Sequence, residues 1–178
     1  IDNFKRVAAE QIELGNSESY WNAVNDEIDD INPSVYTDDD FFTMNRQAFQ
    51  AQSRLQEDGL IDFNEDISNQ LSTNGFFRDH PLTASWNNVI SIRNLVLDGG
   101  VFETLSYSNR LSEITIPSLV LWGRYDMVVP PVFAQDAIEN LGSESKELVI
   151  FENSGHAPMF QEPDKFAQEV IEFINQNK

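Results

Sequence analysis

Two loops of this 178-residue chain hold the residues whose types and spacing can do proton-transfer chemistry. WGRYDMVVP places Asp126 four residues past Trp122, and NSGHAPMFQEP places His156 five residues past Phe151. The runs just before them, SLVLW at 118–122 and ELVIF at 147–151, are continuously apolar, the pattern of strands buried on both faces of a parallel sheet. Both side chains then leave the same edge of that sheet. Neighbouring strands lie ~4.8 Å apart, so a hydrogen bond between Asp126 and His156 is within reach. A carboxylate so placed accepts the imidazole N–H, fixes the tautomer, and stabilises the imidazolium formed when the other ring nitrogen takes a proton from a nucleophile. The plainer alternative is an Asp126 that starts the turn before Pro130 and Pro131, with His156 a structural loop residue after Gly155.

The elements that must position this pair alternate. Each strand run is followed by a loop and a helix-forming stretch, 131–141 after the first and 163–175 after the second. Strand–helix–strand–helix units build parallel sheets with right-handed crossovers, and their chemistry gathers at the carboxyl ends of the strands. Residues 1–98 contain no strand-like run and read as successive helices. The first covers 4–14 and stops at Gly15; the second starts at Ser17 or Ser19 and carries Tyr20, Trp21, Val24 and Ile28. A third runs from Thr37, as N-cap, to Gly59, with Asp38 to Asp40 favouring the helix dipole. A fourth is capped by Thr83, carries Trp86, Val89, Ile90 and Leu97, and closes at Gly99-Gly100.

Composition narrows the function classes. Thirty Asp and Glu against 11 Lys and Arg give a net charge of −19 and a pI of about 4.1. Such a surface repels phosphate backbones and anionic lipid, which argues against nucleic acid and membranes as partners. It reads as a solubilising surface or as the complement of a cationic, amine-bearing ligand. The clusters DEIDD at 26–30 and DDD at 38–40 read as solvated helix ends, since neither alternates oxygen ligands around a glycine as a calcium loop does. With no cysteine, the chain has no disulfide, no thiolate nucleophile and no Cys-ligated metal. No apolar run approaches the ~20 residues of a membrane span, and no targeting segment is visible, so a cytoplasmic location is the expectation. Hydrophobic residues make up 40%, with 13 Phe and 3 Trp, enough for a packed core. His80, in FFRDHPL, reads as a loop or pocket-lining residue and Asp136 as surface; Trp21, Phe76, Phe77 and Trp86 read as core packing or pocket lining.

The stretches IPSLVLWGRYDMVVP (116–130) and LVIFENSGHAPMFQEPDKFAQEVIEFI (148–174) resemble the α/β-hydrolase fold family, in which Asp and His follow the last two strands in that order. The resemblance implies an α/β fold made of two parts: a helical cap over 1–98, then the helix-strand-helix-strand-helix end of the hydrolase sheet over 99–178, an incomplete domain. It further implies a catalytic triad in which Asp126 orients His156, with a Ser or Asp nucleophile on a G-x-S-x-G-like elbow. No serine of this chain sits in such a setting. By this resemblance the first six strands, the nucleophile and most of the oxyanion hole belong to a missing N-terminal half or a second chain, and these residues alone are inactive. GRYDMVVP is similar to the acid loop of proline iminopeptidases, whose caps use carboxylates to hold a substrate's free amino terminus. The implied substrate is a small ester, amide or short peptide, and no metal or organic cofactor is implied. A different reading is a non-catalytic binding module that pairs with another chain.

Overall fold

The computed structural model describes residues 1–35, 37–62 and 106–178. The expected fourth helix, His80, Phe76, Phe77, Trp86 and the boundary at 98/99 lie outside these described residues.

Helices α1 (Asp2–Glu13), α2 (Glu18–Asp29) and α3 (Asp38–Glu57) form the first part. Each turns one apolar row inward at helical spacing: Phe4, Val7 and Ala8 from α1, Trp21, Val24 and Ile28 from α2, Ala48, Ala51 and Leu55 from α3. These nine side chains form one buried cluster. Trp21 is fully buried, the packing role of the two foreseen for it.

The helix ends follow from local chemistry. After α1, the N–H of Gly15 bonds Ile12 O and that of Asn16 bonds Gln11 O. After α3, Gly59 bonds Gln56 O and Leu60 bonds Leu55 O. Both are Schellman closures, which need a left-handed residue, and Gly15 and Gly59 supply it at φ +75° and +77°. Thr37 caps α3 in a reciprocal box, its Oγ1 accepting Asp40 N–H while Asp40 Oδ2 accepts Thr37 N–H. Ser17 stands at the start of α2, one of the two starts expected. It precedes α2 at φ +45° without capping it, and its hydroxyl instead donates to Asp58 Oδ1 at 3.1 Å, tying the start of α2 to the end of α3.

Strands β1 (Ser118–Gly123) and β2 (Lys146–Phe151) pair in parallel, in a register running from Ser118↔Lys146 to Gly123↔Phe151. A 3₁₀ turn, Ser108–Glu113, precedes β1; α4 (Val132–Asn140) packs against both strands; α5 (Pro158–Gln161) and α6 (Pro163–Gln176) follow β2. Burial of the strands is less complete than their composition led us to expect. Leu119, Val120, Leu121, Leu148, Val149 and Ile150 stay half-buried, and α6 has no fully buried residue. Ile171 and Ile174 on α6 and Val132 and Phe133 on α4 stand more than half exposed.

The two parts meet at the loop after β1. Tyr125 and Met127 are buried in the same cluster as the helical rows. Glu10 of α1 accepts the Tyr125 hydroxyl at 2.8 Å and an Arg124 guanidinium N–H at 3.2 Å. Arg124 also pairs with Glu152 at 2.7 Å, so one arginine spans α1 and the loops after both strands. No helix among the described residues is long and apolar enough to cross a membrane.

Candidate active site

Parallel pairing brings the ends of β1 and β2 level, and the two loops are then stitched together. The N–H of Arg124 donates to Phe151 O and that of Tyr125 to Ser154 O, both at 2.9 Å. The approach is close enough to dictate a residue type: a Cβ on Gly123 would lie 2.0 Å from Gly155 O, so only glycine fits where the loops cross.

Within the first loop Asp126 is 4% exposed, and its Oδ1 accepts the backbone N–H of Val128 at 3.0 Å and of Val129 at 2.8 Å. Trp122 Nε1 donates to Val129 O at 2.9 Å, holding the far side of the same turn. The turn-forming role foreseen for Asp126 is therefore seen, and the same carboxylate also faces His156. His156 Nδ1 lies 2.9 Å from Asp126 Oδ2 and 3.1 Å from Oδ1. A carboxylate only accepts, so the tautomer that makes this bond carries its proton on Nδ1 and its lone pair on Nε2, which has no hydrogen-bond partner among the described residues. The imidazole side chain is 47% exposed against 5% for Asp126, a buried acceptor behind an accessible base.

The second loop is held by the residues just after it. Glu162 Oε1 accepts the Asn153 N–H at 3.0 Å and the Ser154 hydroxyl at 2.7 Å. Gln161 Oε1 accepts Gly155 N–H at 2.9 Å and Ala157 N–H at 3.4 Å. Sequence reasoning had not assigned these two. The signal was available in NSGHAPMFQEP, because a tight loop whose N–H groups lack acceptors of their own needs acceptors nearby. Gln52 and Asn3, which also reach the loops, carried no such signal, being distant in sequence.

Among the described residues the ring of His156 has Asp126 as its hydrogen-bond partner and no serine beside it. Ser154, the neighbouring hydroxyl, is fully buried and committed to Glu162. Asp136 lies exposed on α4, as expected, accepting from Asn140. No group of three or more His, Cys, Asp or Glu among the described residues could hold a metal ion. A groove of about 640 Å³ opens between the start of α1 and the start of α4, lined by Ile1, Asn3, Arg124, Pro131 and Phe133 among others; neither Asp126 nor His156 lines it.

The model of the alpha/beta hydrolase fold matches residues 5–163. The chain belongs to the alpha/beta hydrolase fold family. Relatives include AB hydrolase superfamily protein YclE of Bacillus subtilis (strain 168), 34% identical over 104 residues, which are 57% of this chain and 37% of that protein. A proline iminopeptidase of Saccharolobus solfataricus is 39% identical over 77 residues, 43% of this chain and 24% of that one. A 2-hydroxy-6-oxononadienedioate/2-hydroxy-6-oxononatrienedioate hydrolase of Dechloromonas aromatica is 41% identical over 70 residues, 38% and 23% respectively. The alignments thus span less than two-fifths of the length of each of these relatives. Asp126 and His156 lie on the loops at the carboxyl ends of the two neighbouring parallel strands, the side of an open α/β sheet where ligands bind.

Proposed function

We propose that this chain contributes the acid and the base of a triad, together with a helical cap, to a hydrolase of small esters, amides or short peptides. The nucleophile lies on a segment outside these 178 residues. The observation that carries the reading is the 2.9 Å contact between His156 Nδ1 and the buried Asp126 Oδ2. In this reading a serine hydroxyl gives its proton to His156 Nε2 as it attacks the acyl carbon. The imidazolium, stabilised by Asp126, then returns the proton to the leaving alcohol or amine. Water repeats the sequence on the acyl-enzyme, and no cofactor is called for. An Asp nucleophile would form an ester intermediate and use His156 to activate the water. The iminopeptidase relative brings peptides with a free amino end into the substrate class, and the acidic first part of the chain is compatible with that.

A fluorophosphonate, which labels activated serines, tests the reading when the protein's intact mass is followed. A labelled species, on a longer chain or a co-purifying one, supports it. One unlabelled species with the mass of this chain alone supports instead the second reading, a non-catalytic module that pairs with another chain. Both readings require cover for the apolar side chains left open on α4 and α6 and for the half-buried strands.

A further inference from the structure

The backbone N–H of His156 finds no acceptor in its own loop. Its neighbours Asn153, Gly155 and Ala157 are all held by Glu162 or Gln161, but His156 donates to Gln52 Oε1 on α3, at 2.8 Å and 104 residues away in sequence. A backbone N–H only donates, so the face of the Gln52 amide turned toward it is the oxygen. Gln52 Nε2 is left buried with no hydrogen-bond partner among the described residues. The same Oε1 would stand 2.2 Å from a Cβ on Gly155, so a larger residue before the histidine would have to displace the Gln52 amide. Next to this contact, the N–H of Asp62 donates to Asn153 O at 2.9 Å.

Asp126 is held in the matching way. Asn3 Nδ2 of α1 donates to its backbone carbonyl at 3.1 Å. Each member of the acid–base pair therefore has its main chain gripped by a side-chain amide from the helical part. Gln52 is well placed to do this rigidly, because Ala51 and Leu55 beside it on α3 are fully buried.

We infer that Gln52 is a positioning residue: by holding the His156 backbone it sets the imidazole against Asp126, and so makes α3 part of the alignment of the pair. This rests on the catalytic role proposed for Asp126 and His156. A rotation of the 155–156 peptide would swing the ring, and a misplacement of ~1 Å at a reacting group costs on the order of 100-fold in rate.

The test is imidazole NMR on protein labelled with ¹⁵N-histidine, the His156 signals being assigned by their loss in His156→Gln. The unmodified protein is expected to show His156 as the Nδ1–H tautomer, with a slowly exchanging Nδ1–H resonance. Gln52→Leu, which keeps bulk but has no acceptor, should lose that resonance and shift the ring toward the Nε2–H tautomer of free imidazole, with the unfolding midpoint retained. Gln52→Glu, which keeps an acceptor at the same reach, should retain it, and Gln52→Ala repeats the comparison without leucine's branching. An unchanged resonance in the Leu and Ala variants, or equal loss in Leu and Glu variants that remain folded, overturns the role of Gln52. The Asp–His reading fails separately, if Asp126→Asn leaves the His156 signals as they were.

Discussion

Asp126 performs two tasks with one carboxylate, and the tasks can be separated by a change of one atom. Asn keeps an Oδ1 for the N–H groups of Val128 and Val129, so the turn survives. It cannot hold the Nδ1–H tautomer of His156 as a carboxylate does. In the complete enzyme Asp126→Asn is therefore expected to lower kcat by roughly 10⁴-fold, the scale of that exchange in a serine protease triad, with little change in the thermal midpoint. His156→Ala should abolish turnover, also with the fold retained, since the ring is half exposed. Near-normal kinetics in either variant would remove the pair from the mechanism. Gly123→Ala makes the opposite prediction. Its Cβ meets main chain at 2.0 Å, which cannot swing aside as a side chain could. A loss of about 1–3 kcal/mol in a denaturant titration is expected, on the scale of overpacked sites. Tyr20 illustrates a residue that the sequence marked only as apolar. Burial pushes its hydroxyl up to about 12, against a smaller opposing pull from Arg54. Between the ordinary value of ~10 and about 12 the unfolded chain gives up its proton first, so stability falls with rising pH across that window. Tyr20→Phe should flatten this alkaline limb in melts recorded at successive pH values.

At the scale of elements, periodicity and end signals were informative because they are local. Gly15 and Gly59 end helices by a backbone conformation that most other residues resist, and Thr37 caps α3 through groups three residues apart. The capping box has a pH signature. Hydrogen bonds from the Thr37 hydroxyl and backbone N–H hold the Asp40 carboxyl below the usual carboxylate range. Its contribution is thus present above the ordinary carboxylate value and is lost as pH falls through the lower folded one. Thr37→Ala, which keeps the backbone N–H but loses the hydroxyl, should reduce that part of the acid limb, and identical limbs in the two proteins would deny the Thr37 hydroxyl any role. Ser17 was legible as a helix start but not in its function, because its hydroxyl is spoken for by Asp58 on another helix. The strands were legible in position and parallel direction. Their burial was not, since an apolar run reports what a strand prefers and not how much cover its neighbours supply.

Among the described residues, the sheet part leaves several large apolar side chains open. Ile171, Ile174, Val132 and Phe133 are more than half exposed, and among the described residues the sheet has two strands, each with a free edge. Two strands are a poor independent unit. The 178-residue chain in isolation is therefore expected to self-associate in light scattering, and a stable monomer across concentrations would contradict the need for cover.

Among the described residues, the sequence by itself marked the three helices and their ends and the two strands with the helices after them, all through spacings of a few residues, and it put Asp126 and His156 on the loops that follow those strands. Tertiary structure alone decided that Gly123 and Gly155 must lie under one another and that Asn3, Glu10 and Gln52 reach across from the helices. The reason is geometric. Helix and strand patterns repeat over two to four residues, whereas the partners of Asn3, Glu10 and Gln52 lie more than 100 residues away, fixed by the packing of whole helices against a two-strand edge.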